Sequence, residues 1–481
     1  MNNPSILVDG SHLLKRGATG IGSYAHSLTK SLGALGAEVS VFFGHRAKTI
    51  PSDPPIALAD QVFGQNTWRR SNLSLVARTG LGFRRRIKTD EVDIDGLELD
   101  ALDPPLPPFV RVFNGQEAFL RADIIFALRQ QFGIAELPDE FAAAHWTGPF
   151  PIKARHGPNI YTLHDLVPLQ FPYFVEDGPG NSARVHAAIA QQADHIITVS
   201  ETSKAHIVDI LGVPAERVSV TYQPVQEIAR MPQEGAERLV STIYAAEPGK
   251  YALFLGAIEP KKNLKRLIEA FSLSGVEIPL LLAGPLGWLY DEELELIDVI
   301  RKPIVEEGLN AVRIAEAYRS IRKIDDGQQN IEDSIFSNRS LKSEMPIRRL
   351  GYLPRRHVVA LMQCARFFVF PSVYEGFGLP ALEAMHLGVP VLTSRRASLP
   401  EVVGDAAILV DPISISEIAD GIRRLDADAD LRSELARRGP IQAAAFSEDA
   451  YLEKLAAAYG KVGISFPAKS AVTPIKEAAA E

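Results

Sequence analysis

The sequence predicts an α/β protein made of two doubly wound parallel sheets. Two observations carry this. Short runs rich in Val, Ile, Leu and Phe alternate with amphipathic helical patterns that end in Gly. The whole pattern then occurs a second time, after a less regular stretch near 226–250. A chain of 481 residues has the length for two or three domains. Two such domains facing each other is the architecture this implies.

Taken in order, the first set of strands reads SILVDG, EVSVFFG, NIYTLHD, HIITVS and RVSVTY. The second reads YALFLG, IPLLLAG, RRLGYL, ARFFVFPS, PVLTS and AAILVD. Stretches such as GSYAHSLTKSLGALG and NLKRLIEAFSLSG supply the helices between them. Two segments depart from the alternation. In 51–149 the strand signals thin out. The polar segment 295–346 interrupts the second unit and reads as an inserted excursion. The end, PAKSAVTPIKEAAAE, lacks apolar periodicity and reads as a disordered tail.

The composition, 46% hydrophobic and 23% charged, is that of a soluble globular chain. A formal net charge of -8 excludes a nucleic-acid binder held by bulk charge. The start, MNNPSILVDG, has no basic region followed by an apolar run, so no secretory signal is expected. The longest apolar runs are too short to span a bilayer, and a cytoplasmic location is expected. The single cysteine, Cys364, excludes an intrachain disulfide framework and reads as a buried core thiol. Positions 61–89 hold seven basic residues and no acidic one, interleaved with Trp68, Leu73, Leu75, Leu81 and Phe83. That pattern suits a peripheral contact with an anionic membrane face, and equally a solvated loop.

Four stretches could carry chemistry. In open α/β sheets ligands bind at the carboxyl ends of strands. PSVYEGFGLPALEAMHLGVP sits at such an end, with Pro380 placed to open a helix and Gly388 to close it. Gly376 and Gly378 let backbone N–H groups approach a ligand. Glu383, expected in the first helical turn, offers two acceptor oxygens to a vicinal diol. On spacing alone, Glu375 as a solvated loop residue and Glu383 as a helix-dipole partner fits as well. FLGAIEPKKNLKRLIEAF places Lys261 and Lys262 at a helix start capped by Asn263. Cations are unfavourable there, so the pair suggests a bound anion, most simply a diphosphate; two surface lysines are the plain alternative. GIGSYA formally matches G-x-G-x-x-G/A, but ten residues separate Gly10 from Gly20, against a dinucleotide site. A glycine loop around Gly22 opening a helix towards a cleft fits better. In YTLHDLVP, His164 and Asp165 end a strand, where His164 could bond a substrate hydroxyl or serve structure alone.

Together these stretches resemble glycosyltransferase family 4, the retaining enzymes of GT-B fold. FVFPSVYEGFGLPALEAMHLGVPVLTSRRASLPEVVGDAAILVDP contains the E-x7-E motif of that family at Glu375 and Glu383. FLGAIEPKKNLKRLIEAF, ITVSETSKAHIVDILGVPAERVSV and YTLHDLVP are similar to its other motifs. Within the family the chain looks most like bacterial mannosyltransferases of O-antigen and exopolysaccharide synthesis. The resemblance implies an acceptor domain over 1–235, a nucleotide-sugar domain over 236–445, a helix over 446–462 crossing back to the first domain, and a tail over 463–481.

The resemblance also implies roles. Glu383 binds the ribose and Glu375 contacts the donor sugar. The backbone of Phe377, Gly378 and Leu379 holds sugar hydroxyls and phosphate. Lys262, with Lys261, binds the diphosphate. His164 and Gly22 face the donor sugar, and the base rests near Tyr352. The chain departs from many members in carrying Ala257 after Gly256, where an arginine is common. The implied reaction is front-face attack with the leaving phosphate taking the acceptor's proton, without a cofactor or metal. GDP-mannose is the implied donor, and a saccharide or lipid-linked saccharide the acceptor. A nucleotide-sugar epimerase on the same fold and a non-catalytic nucleotide-sugar-binding subunit are the competing readings.

Overall fold

The computed structural model describes residues 3–13, 20–44, 85–93, 107–174, 179–225, 228, 230–287, 290, 293 and 347–467. The excursion 295–346, most of the basic stretch 61–89 and the tail from 468 lie outside them. The chain divides into two units. One comprises Met1–Gln226, Gly376–Leu379 and Ala444–Glu481; the other comprises Glu227–Glu375 and Pro380–Ala443. Residues 230–235, grouped with the first domain on sequence, go with the second unit.

The first unit holds β1 (Ser5–Asp9), β2 (Glu38–Phe43), β3 (Arg86–Lys88), β4 (Asp90–Val92), β5 (Arg111–Asn114), β6 (Gly133–Glu136), β7 (Ala143–Trp146), β8 (Ile152–Ala154), β9 (Asn159–Thr162), β10 (His195–Thr198) and β11 (Val218–Val220). Its main sheet runs β11-β10-β9-β7-β1-β2-β5-β4. All pairs are parallel except β4 with β5. A second parallel sheet runs β3-β6-β8. The segment 51–149, read as poor in strands, therefore supplies five of them in its described part. They are three or four residues long and punctuated by Arg, Glu and His, too short for periodicity to register.

Strands buried on both faces need apolar side chains on both, and Ile6, Leu7 and Val8 of β1 are all at most 1% exposed. Trp146 of β7 packs edge-on against Phe42 of β2 at 5.9 Å, and its indole N–H donates to Asn159 Oδ1 at 3.0 Å. The helix Glu201–Leu211 begins with Ser200 accepting from Ser203 N at 3.0 Å and ends at Gly212, φ 66°. The helix Glu448–Gly460 belongs to this unit, capped by Ser447.

The second unit holds β12 (Ala252–Leu255), β13 (Leu280–Ala283), β14 (Ile347–Gly351), β15 (Phe367–Phe370), β16 (Val391–Ser394) and β17 (Ile408–Val410). They form one parallel sheet in the order β14-β13-β12-β15-β16-β17. All six match runs read as strands on sequence. The stretch near 226–250, read as irregular, contains the helix Gln233–Tyr244. Ala236, Val240 and Tyr244 recur every fourth residue and are its buried side. Cys364 is buried at the end of the helix Arg355–Gln363, and burial pushes its thiol up to about 11. Among the described residues, no helix is long and apolar enough to cross a membrane.

Candidate active site

In the sheet of the second unit the order in which strands are added reverses at the centre. The chain builds β12, β13 and β14 outward on one side, then returns to lay β15, β16 and β17 on the other. The crevice at the carboxyl ends of β12 and β15 is thus the topological switch point, where such sheets take ligands. The two exit loops there are joined. Val373 N donates to Lys261 O at 2.8 Å. Asn263 Nδ2 donates to Pro371 O at 2.9 Å and Pro412 O at 2.6 Å. Asn263 stands at the helix-cap position the sequence predicts, but its side chain caps nothing. Its backbone is left-handed, φ 63°, a conformation Asn tolerates, and this aims the amide across the loops instead.

Lys262 and Glu375 meet between these loops. Lys262 Nζ lies 2.7 Å from Glu375 Oε1, with the side chains 11% and 9% exposed. The ammonium also lies 4.9 Å from the centre of the Phe370 ring. Lys261 Nζ is 3.5 Å from Glu259 Oε1. Glu259 is a residue the sequence reading did not single out. Burial holds its carboxyl above the usual range, opposed by Lys261 and Lys262 and reinforced by Glu375. Its signal was there: an acidic residue directly before Pro-Lys-Lys, where ammonium groups leaving water need a counter-charge. An anion arriving at Lys262 meets an ammonium already held in place by a carboxylate, and must share it or take it from Glu375.

Glu383 stands one turn into the helix Leu379–His386 rather than in its first turn, and the helix opens at Leu379, one residue before Pro380. Both its oxygens are taken by Arg355, Nη2 to Oε1 at 2.6 Å and Nη1 to Oε2 at 3.0 Å. Arg355 was also not singled out; nothing in PRRH distinguishes it from a surface arginine. Tyr352, just after β14, is 56% exposed.

The tetrapeptide Gly376–Leu379 belongs with the first unit. A Cβ at Gly376 would lie 2.6 Å from His164 O, so no side chain fits there. Gly378 has φ 105°, open only to glycine. Phe377 is buried, its ring 5.6 Å from Phe446 and 6.2 Å from Tyr222. His164 Nε2 donates to Thr147 O at 2.9 Å, which fixes the proton on that nitrogen. Its ring stands edge-on to Tyr24 at 4.7 Å. Thr147 N in turn donates to Asp9 Oδ2. Asp9 ends β1 and Thr147 follows β7, so this chain of bonds lies at the switch point of the first sheet. Gly22 is buried in the first turn of the helix Gly20–Ala34, and a Cβ there would lie 3.3 Å from His12 O.

Behind His164 lies a buried polar network. His145 bonds Tyr459 OH at 2.8 Å and Thr162 Oγ1 at 2.7 Å, and Thr162 meets Tyr24 OH at 2.8 Å. Burial pushes the His145 pKa from 6.5 down to about 3. The folded protein therefore keeps His145 neutral where the unfolded chain binds a proton. Stability rises with pH across this window: it is fully present above 6.5 and is lost as pH falls towards 3, at about 1.4 kcal/mol per pH unit. Urea unfolding at pH 7 and pH 5 should show this loss, and His145→Gln should flatten it. An unchanged slope in the variant would assign the acid loss elsewhere.

Among the described residues no cluster of three or more His, Cys, Asp or Glu is placed to hold a metal ion. Residues 19–223 match the family model described as a glycosyl transferase 4-like domain, and 336–442 match that of glycosyl transferases group 1. The O-antigen chain mannosyltransferase B of Escherichia coli is 33% identical over 308 residues, 61% of this chain and 70% of that protein. The serotype-specific mannosyltransferase WbdA of Escherichia coli is 29% identical over 296 residues, 60% of this chain but only 31% of that protein. Among solved structures, sucrose-phosphate synthase from Thermosynechococcus elongatus superposes with a TM-score of 0.58 at 18% identity, over 96% of this chain and 99% of that one. Anabaena Alr3699/HepE in complex with UDP and glucose gives 0.58 at 15% identity, over 95% and 100%. With two main, largely parallel α/β sheets, each turning at a polar switch point, the chain belongs to the group 1 glycosyl transferases, glycosyltransferase family 4, of GT-B fold.

Proposed function

We propose that this glycosyltransferase is a retaining, metal-independent hexosyltransferase. In this reading it moves mannose from GDP-mannose to a saccharide or lipid-linked saccharide during polysaccharide synthesis. The observation that carries it is the Lys262–Glu375 pair at the switch point of the second unit, a part-buried cation beside a buried carboxylate. The O-antigen mannosyltransferase relatives support mannose, and HepE, solved with UDP and glucose, supports a nucleotide-sugar as co-substrate. No cofactor enters the scheme.

Lys262, with Lys261, neutralises charge as the nucleoside diphosphate departs, an electrostatic contribution made before the reaction begins. Glu375 holds the sugar ring. The backbone N–H groups of Phe377, Gly378 and Leu379 serve sugar hydroxyls and phosphate at a helix start. Glu383 holds the ribose hydroxyls, and the base lies near Tyr352. Gly22 and His164 are assigned to the sugar, with the His164 tautomer set by Thr147. The acceptor hydroxyl attacks the same face from which the diphosphate leaves, and a phosphate oxygen takes its proton. A peripheral contact with the cytoplasmic membrane face through 61–89 would bring the enzyme to lipid-linked acceptors.

The test is a donor screen with EDTA present. Purified protein is incubated with GDP-mannose, GDP-fucose, UDP-glucose, UDP-galactose, UDP-N-acetylglucosamine and dTDP-rhamnose, and nucleoside diphosphate release is measured beside Glu383→Ala. Release from GDP-mannose alone, undiminished by EDTA and lost in the variant, is expected. Proton NMR of the product should show the donor's anomeric configuration. Release from another donor corrects the sugar. Loss with EDTA, restored by a divalent ion, sinks metal independence. Donor-induced thermal shifts without release, even with acceptor present, would favour a binding subunit.

A further inference from the structure

We infer that Arg355 is a specificity-determining residue at the nucleoside end of the donor site, competing with the ribose for the carboxylate of Glu383. The inference rests on the proposed reading of Glu383 as the ribose seat. Its own observation is the two-pronged bond between the side chains, 2.6 Å and 3.0 Å, one prong to each carboxylate oxygen. A guanidinium offers two parallel N–H donors in a fixed fork. A vicinal diol offers two O–H donors side by side. Both fit a carboxylate best along the same edge, with one donor on each oxygen. Glu383 is buried, its side chain 7% exposed, so few directions of approach lead to it. Whichever fork holds that edge excludes the other.

The two partners differ in how easily they leave. Glu383 is fixed on the helix Leu379–His386. Arg355 opens the helix Arg355–Gln363, and its side chain is 44% exposed. A long, half-exposed side chain at a helix start can swing into water at little cost in buried area. The ribose therefore displaces the arginine, not the glutamate. A nucleotide lacking the 2′-hydroxyl has one donor instead of two for the exchange. Arg355 thereby lowers the affinity for every nucleotide and blunts the advantage of ribose over deoxyribose.

The test is calorimetric titration with GDP and UDP, each beside its 2′-deoxy analogue, using wild type, Arg355→Met, Arg355→Lys and Glu383→Gln. Removing the competing fork should tighten ribonucleotide binding on the order of tenfold, as loss of a charged hydrogen bond implies. The deoxy analogue should gain less, so the ribo-to-deoxy ratio rises. Arg355→Lys, with one point donor in place of a fork, should fall between. It carries the test if Arg355→Met unfolds. A folded variant that binds ribonucleotide no better than wild type, with the ratio unchanged, overturns the inference. If Glu383→Gln weakens ribonucleotide binding in that same experiment, the ribose seat stands and only the competition is lost. If Glu383→Gln changes neither affinity nor ratio, or no nucleotide binds, the ribose seat itself fails and the inference falls with it.

Discussion

Lys262→Met is expected to lower kcat by about 10²–10³-fold, the range found when one preorganised charge or donor is removed from a transition state. Two effects act together. The variant loses the cation that would meet the departing diphosphate. It also strands the Glu375 carboxylate, 9% exposed and 2.7 Å from the lost ammonium, where negative charge must gather. Glu375→Gln works in the opposite direction on binding. It releases Lys262 from its carboxylate, so affinity for nucleoside diphosphate should hold or rise while kcat falls. Lys262→Arg should rescue poorly, because the larger planar guanidinium does not fit where the ammonium sits 2.7 Å from Glu375 on a side chain only 11% exposed. Steady-state kinetics with calorimetric titration of the diphosphate checks the split. A Lys262→Met enzyme within threefold of wild type in both quantities would remove this pair from the mechanism.

Asn263→Ala is expected to destabilise the second unit by about 2–4 kcal/mol, from two buried carbonyls each losing a donor. Asn263 is 2% exposed and serves Pro371 O and Pro412 O together. Its left-handed backbone adds a further cost for alanine of about 1 kcal/mol. Three variants separate these contributions. Asn263→Gly keeps the backbone at ease and loses only the bonds. Asn263→Ala loses both. Asn263→Asp tolerates the backbone but turns two donors into acceptors facing carbonyl oxygens, so it should be the worst. Urea unfolding should rank them Gly, Ala, Asp in falling stability. Aspartate equal to or better than glycine would show that the amide does not join the loops. The same variants should lose activity beyond their loss of stability, since Pro371 leads into the loop that carries Glu375.

Most strands that match their sequence runs are those whose burial on both faces forced them to be apolar; Ile347–Gly351, with its two arginines, is an exception. SILVDG, YALFLG and ARFFVFPS could hardly be anything else. Ala143–Trp146 escaped because His145 breaks the run. That histidine is tolerated only because Tyr459, 314 positions away, and Thr162 take its two nitrogens, a fact of tertiary structure alone. The irregular reading of 226–250 failed for a milder reason. Its helix is amphipathic, but Pro232 and Gly235 at its start read as loop.

At the site, the sequence by itself determined residue types and the loops that hold them. Paired lysines at a helix start are legible because that position disfavours cations without a partner, and glutamates about a glycine turn because they follow a strand end, where ligands bind. The partners were decided by the fold. Lys262 and Glu375 are 113 positions apart, and only the reversal between β12 and β15 sets their loops side by side. Arg355 and Glu383, 28 apart, meet because their helices begin after strands of the same sheet. Local pattern records how each segment meets water. It does not record which charge another segment will bring, because that depends on strand order, and strand order is settled by the packing of the whole sheet.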